Sequence, residues 1–182
     1  MRRKRRALSA RQQREAALSV GRQLITHPWL LSAERIGLYL SNDGELDPQA
    51  IAQRLWRMRK QCYLPILHPG STNKLWFGHW QADSRLINNR FGIPEPAPTP
   101  ATQAKHLDLI LIPLVAFDAH GNRMGMGGGF YDRTLAFRQH RPHGNPKLVG
   151  LAHECQRVES LPVESWDVPL DAILTDRAWY LD

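Results

Sequence analysis

A chain of 182 residues is long enough for one domain with a sizeable core, and its 42 % apolar content is that of a globular protein. No apolar run approaches the ~18 residues that a membrane-crossing helix needs, so a membrane protein of that kind is excluded. The net charge of +7 suggests a nucleic-acid binder, but residues 1–22 carry eight basic side chains against Glu15 alone, and the remainder carries sixteen charges of each sign. Such a body lacks the broad basic face that phosphate-backbone binding needs, so a nucleic-acid partner is not expected beyond the arm itself.

In chain order, residues 1–8 form a basic arm holding Arg2, Arg3, Lys4, Arg5 and Arg6, whose plainest reading is a solvated, frayed terminus. No apolar segment follows it, so no export signal is read and a cytoplasmic location is expected. Ser9 and Gln12 make a capping box for a helix reaching about Leu24. A short apolar strand spans 35–40 and ends at SNDG. Asp47 then caps a helix with Pro48 at its first position and Ile51, Leu55 and Met58 toward a core. Strands follow at 61–67 and 74–80. The proline-rich stretch 94–103 reads as an internal loop.

Next comes the longest apolar run, 109–118, which empties into five glycines within nine residues: Gly121, Gly125, Gly127, Gly128 and Gly129. Without Cβ atoms, successive amides can turn inward toward one anion, which suits a phosphate. A helix is expected over 130–138, its first amides and dipole adding to that attraction. The pattern is neither a Walker loop nor a dinucleotide fingerprint, because Phe130 stands where each requires another residue. Arg123, Asp132 and Arg133 bracket the glycines. A further parallel strand is expected at 147–152, and the last strand after the loop that holds Asp167. Two β-α-β units result, so the fold expected is α/β: a single domain, 1–182, with a mostly parallel twisted sheet and helices on both faces in a Rossmann-like layering.

GNRMGMGGGFYDR at 121–133 closely resembles the signature of the 5-formyltetrahydrofolate cyclo-ligase family, also called methenyltetrahydrofolate synthetases. YLSNDGELD at 39–47, YLPIL at 63–67, FGIPEP at 91–96, LILIPLVAFD at 109–118 and LPVESWDVPLDAILTD at 161–176 fall in that family's order and spacing. The resemblance covers roughly four-fifths of the chain.

The resemblance implies an ATP- and magnesium-dependent conversion of 5-formyltetrahydrofolate to 5,10-methenyltetrahydrofolate. It implies ATP contacts from Arg2, Arg3, Lys4, Arg5 and Arg6 of the arm and from Arg123, Met124, Gly125, Met126, Gly127, Gly128, Gly129, Phe130 and Tyr131. Folate contacts are implied for Asn42, Glu45, Asp47, Phe91, Met126, the glycines 127–129 and Phe130. Asp132 and Asp167 match the magnesium carboxylates, and Arg123, Tyr131 and Asp132 the catalytic positions. One or two carboxylates with phosphate oxygens and water make up a usual magnesium shell, so no larger acidic cluster is required.

The plainer readings stand beside these: Asp47 as a cap only, Asp132 as a first-turn helix acid, Asp167 as an ordinary loop carboxylate, and Trp76, Trp80, Trp166 and Trp179 as packing. Cys62 and Cys155 read as small buried hydrophobes, and His140 with His143 as a polar loop without zinc. A monomer acting on small molecules is expected. The alternatives are a folate- or nucleotide-binding module without catalysis, and an RNA-contacting protein using its arm.

Overall fold

The computed structural model describes residues 1–70, 73–97, 99–141 and 144–181. Pro98 of the proline-rich stretch and His143 lie outside the described residues. Helices α1 (Arg2–Arg6), α2 (Ala10–Ile25) and α3 (Pro28–Ser32) precede β1 (Arg35–Gly37); α4 (Gln49–Arg57) leads to β2 (Gln61–Leu67) and β3 (Leu75–Trp80). Short strands β4 (Leu86–Asn88), β5 (Pro94–Pro96) and β6 (Ala101–Thr102) come next, then β7 (Leu109–Pro113), β8 (Ala116–Phe117), β9 (Arg123–Met124), α5 (Phe130–Leu135), β10 (Lys147–Ala152), β11 (Ala172–Thr175) and β12 (Trp179–Leu181).

One eight-stranded sheet runs β12-β11-β10-β7-β1-β2-β3-β6. Its five central strands, from β11 to β2, are parallel, and the flanking β12, β3 and β6 are antiparallel. Both β-α-β units are present: β1-α4-β2 and β7-α5-β10 each return parallel. The two units run in opposite directions from the middle of the sheet, so the strand order reverses between β1 and β7. That is the position at which an open α/β sheet leaves a crevice at its carboxyl edge.

Alternation along the strands sorts the core into two layers. Leu109, Leu111, Val149, Leu151, Ala172 and Leu174 face α2, α3 and α4, meeting Ala16, Val20, Leu24, Leu30, Ile51 and Leu55. Ile110, Ile112, Leu148 and Ile173 face the other way, onto Leu135 of α5 and onto Ala104 and Leu107. The helices thus cover both faces, unequally, because α5 is short.

Several expectations need correction. The helix after the glycines ends at Leu135 and gives way to a 3-10 turn, Ala136–His140. A six-residue helix has little macrodipole, so anion attraction here rests on loop amides. The capping box of Ser9 and Gln12 is formed, whereas α4 begins at Gln49, one residue beyond Pro48, with Asp47 Oδ1 accepting the Gln49 N–H at 2.9 Å. Within 94–103, the expected loop contains β5, paired with β4, and β6, paired with β3. Pro94 and Pro96 are tolerated because that hairpin is a two-stranded ribbon.

The arm is not frayed: it forms α1, and Arg5 is fully buried. Of the tryptophans, Trp80 is buried and Trp179 packs on the core, but Trp166 is 64 % exposed, which overturns its reading as packing. Cys62 is buried, its thiol pushed up to about 12 by burial; Cys155 is only half-buried.

Candidate active site

The loops that leave β1 and β7 meet at the switch point. After β1, residues 41–47 form a turn in which the Asn42 N–H donates to Glu45 Oε2 at 3.1 Å and the Glu45 N–H to the Asn42 carbonyl at 3.0 Å. Asp43 sits at its apex with φ of 54°, a left-handed conformation that aspartate tolerates better than most residues. The carboxylate of Asp43 collects three arginines of α1. Arg2 Nε donates at 2.6 Å, Arg5 Nη2 at 3.0 Å, and Arg6 Nε also donates. These bonds from Arg2 and Arg6 hold the Asp43 carboxyl far below the usual carboxylate range.

After β7, Asp118 is buried and pins the next loop. Burial alone would raise its pKa, but the Asn122 side chain and the N–H groups of Leu161, His120 and Asn122 outweigh that and hold it low. The 3.0 Å bond from the Leu161 N–H brings the segment that carries Asp167 alongside. β8 and β9 then pair as a small hairpin and deliver the chain to the glycines.

The glycines are there for different reasons. Gly127 (φ 86°) and Gly129 (φ 61°) occupy left-handed backbone. A Cβ on Gly128 would lie 2.8 Å from the Phe130 ring. Gly125 has an ordinary φ and nothing within 4 Å of where its Cβ would be, so no part of the protein asks for glycine there. A ligand that approaches the backbone closely is the remaining physical reason. Among the described residues, the N–H groups of Gly125, Met126, Gly127 and Gly128 also have no protein acceptor, and Met124 and Met126 are exposed around them.

At the end of this stretch Arg123 Nη2 donates to Asp132 Oδ1 at 2.6 Å, with the arginine almost completely buried. Its Nε is buried without a hydrogen-bond partner among the described residues. The Val168 N–H reaches the same Asp132 oxygen at 3.4 Å, so Asp132 and the segment of Asp167 are adjacent. Asp167 Oδ2 accepts from the Glu164 N–H at 2.9 Å. No hydrogen bond from a described residue reaches Asp132 Oδ2 or Asp167 Oδ1. These hard oxygens fit magnesium, which is held through one or two carboxylates plus phosphate and water; no group of three or more metal-binding side chains occurs among the described residues.

Tyr131, next to the glycines, is influenced by both loops. Its hydroxyl is pushed up by burial and by the Glu45 carboxylate, and Glu45 is itself raised by burial against the pull of Arg5. Phe91, from the β4–β5 hairpin, meets Phe130 edge to face with centroids 6.0 Å apart. Arg133 Nη1 donates to the Gly128 carbonyl at 2.7 Å and stiffens the turn.

Two groups are placed apart from this centre. Asn42, Glu45 and Asp47 line a cleft of about 380 Å³ shared with Gln13, Arg14 and Ala17 of α2, and the charge of Glu45 is felt at the Tyr131 hydroxyl. A larger cleft of about 570 Å³ runs along α2 past His153 and Cys155. The glycine stretch lines neither. In the arm, Arg5 spends its guanidinium on Asp43 and the Leu114 carbonyl, while Arg3 and Lys4 are exposed.

The model of the 5-formyltetrahydrofolate cyclo-ligase family matches residues 1–176. The chain belongs to this family. It is 44 % identical over 182 residues to the 5-formyltetrahydrofolate cyclo-ligase of Escherichia coli K12, covering 98 % of each chain. It is 45 % identical over 169 residues to that of Haemophilus influenzae, covering 92 % of this chain and 89 % of the other. Among solved structures, the 5,10-methenyltetrahydrofolate synthetase of Aquifex aeolicus superposes with a TM-score of 0.83 at 28 % identity, over 99 % of this chain and 88 % of that one. The cyclo-ligase fold expected from the motifs is therefore present.

Sequence reasoning missed three features that shape this candidate site: Asp43, Asp118 and the burial of Arg5. Asp43 and Asp118 lie in turn-forming sequence, SNDG and FDAHGN, so a polar turn was readable, but not what each carboxylate binds. Arg5 carries no distinguishing signal within RRKRR.

Proposed function

We propose that this protein converts 5-formyltetrahydrofolate to 5,10-methenyltetrahydrofolate with ATP, releasing ADP and phosphate. The observation that carries the reading is Gly125: ordinary backbone, open space and unsatisfied neighbouring amides at the switch point of the sheet, beside a buried arginine–carboxylate pair. Membership of the cyclo-ligase family supports it independently.

A formyl amide is a weak electrophile and its oxygen a poor leaving group. Transfer of the γ-phosphoryl group to the formyl oxygen converts that oxygen into a phosphate. The neighbouring nitrogen then attacks the formyl carbon, the carbon–oxygen bond breaks, and inorganic phosphate departs as the ring closes. Catalysis is mainly positioning and charge stabilisation. The amides at 125–128 hold phosphate oxygens, Arg123 offsets their charge from below, and Asp132 keeps Arg123 in place. Magnesium, held by Asp132 and Asp167, would neutralise charge on the transferred group. Glu45 accepts hydrogen bonds from the donor edge of the pterin, while Phe91 and Phe130 flank its rings. Arg3 and Lys4 are the arm's available cations for the phosphates; Arg2 and Arg6 reach them only by leaving Asp43.

The test is the ATP-dependent rise of product absorbance with stoichiometric ADP and phosphate. Folded protein that binds folate or nucleotide tightly without releasing ADP would establish the non-catalytic module instead. The RNA-contacting reading is disfavoured by the three arm arginines already committed to Asp43.

A further inference from the structure

The β4–β5 hairpin carries a cation that the proposed reaction does not use. Arg90 is exposed and has no hydrogen bond or ion pair to any described residue, yet its guanidinium lies 4.9 Å over the Phe91 ring. Phe91 in turn meets Phe130 at the glycine loop, so Arg90 stands two ring contacts from the phosphate site. Ile87, Phe91 and Ile93 are all exposed on the same hairpin, and its carboxylate, Glu95, is bonded to Asn89 and the Leu67 N–H, so Arg90 stands unpaired on a largely apolar platform.

The tip that presents this pair is built to hold still. Asn89 Oδ1 accepts the N–H groups of Phe91 at 2.8 Å and Ile93 at 3.1 Å, and Gly92 (φ 74°) turns the chain. Asn89 Nδ2 donates to Glu95 Oε1 at 2.7 Å, and the same oxygen accepts the Leu67 N–H at 2.8 Å, tying the tip to β2. An unpaired guanidinium fork stacked on an aromatic face at an anchored tip is suited to bidentate binding of a carboxylate that trails from a flat ring system.

Resting on the proposed reaction, whose substrate joins a pterin through an aminobenzoyl ring to a glutamyl group, we propose that Arg90 binds the glutamyl carboxylates. Phe91 separates the two ends of the substrate: the reacting pterin lies toward Phe130 and the anionic tail toward Arg90. Arg90 is thereby a specificity-determining residue that favours substrates with an acidic tail.

The experiment compares wild type, Arg90→Gln and Arg90→Lys on 5-formyltetrahydrofolate and on its analogue lacking the glutamyl group. The expected result is a roughly 2- to 5-fold higher KM of Arg90→Gln for the tailed substrate, the range of an exposed ion pair, shrinking at high salt. The same variant is expected to show the wild-type KM for the tail-less analogue, and Arg90→Lys to recover part of the loss. An equal rise for both substrates would mean that Arg90 acts through the Phe91 ring, and no rise for either that it is only solvated; each overturns the proposal. Absence of turnover in wild type would instead overturn the proposed reaction, and the same comparison made on equilibrium folate binding still decides the role of Arg90.

Discussion

Arg5 and Leu114 are joined across 109 residues of chain: the Arg5 Nη1 donates to the Leu114 carbonyl at 3.0 Å while its Nη2 holds Asp43 at 3.0 Å. One buried side chain therefore fastens the loop after β1 to the end of β7, the two sides of the crevice. Gly44 leaves the room for this, since a Cβ there would lie 3.2 Å from the Arg5 carbonyl oxygen.

Arg5→Met is expected to destabilise the fold by about 1–3 kcal/mol, because it removes the buried hydrogen bonds to the Leu114 and Asp43 carbonyls while Asp43 keeps Arg2 and Arg6. Urea unfolding checks this. Deleting residues 1–6 should cost at least as much and loosen residues 41–47 to proteolysis, so the truncation reports on structure as well as on ATP use. A truncated protein as stable as the full chain would remove the clasp from the account.

Substitutions in the glycine loop should separate fold from ligand. Gly125→Val puts its Cβ in open space and should change stability by less than about 0.5 kcal/mol, whereas Gly127→Val is strained by its φ of 86°. Both should weaken ATP binding, roughly tenfold or more, the loss expected when a charged acceptor forfeits an amide donor. Nucleotide titration alongside thermal melts gives both quantities. Unchanged ATP affinity in Gly125→Val would place the phosphates elsewhere.

The two carboxylates should behave differently. Asp132→Asn strips Arg123 of its buried partner and should lower both stability and kcat. Asp167→Asn breaks no ion pair; it should raise the magnesium concentration for half-maximal activity at least about tenfold with little change in melting temperature. If Asp167→Asn leaves the magnesium dependence untouched, that residue is not a ligand.

Acidification should act through His153. This side chain is buried, faced by Asp176, the Gly44 backbone and Arg5, and neither ring nitrogen completes a well-formed hydrogen bond among the described residues. Burial lowers its pKa, so the folded state favours the neutral ring. A base lowered in the fold contributes stability that is complete above its unfolded value, about 6.5, and is lost as pH falls from there toward the folded value. Melting temperatures should fall between pH 7 and 5, and His153→Gln should flatten that slope; an unchanged slope would assign it to other groups.

Legibility followed the range of the interaction. The capping box at Ser9 and Gln12, the strand at 61–67 and the two parallel β-α-β units were readable because each is set by neighbours in sequence or by a repeating apolar pattern. The short β5 and β6 were not, since two or three residues carry no period and prolines argued for a loop. Trp166 and Trp80 look alike in sequence, yet one is exposed beside Asp167 and the other buried under α4.

By itself, then, the sequence determined the α/β class, the glycine loop with its flanking Arg123 and Asp132, and the family to which these motifs belong, because such features are encoded by residue type and spacing within a few turns of chain. Tertiary structure alone decided that Arg5 is buried on Asp43 and Leu114, and that Phe91 reaches Phe130. Each of these joins residues more than thirty positions apart, and only the order of strands in the sheet specifies which distant side chains share a low-dielectric site.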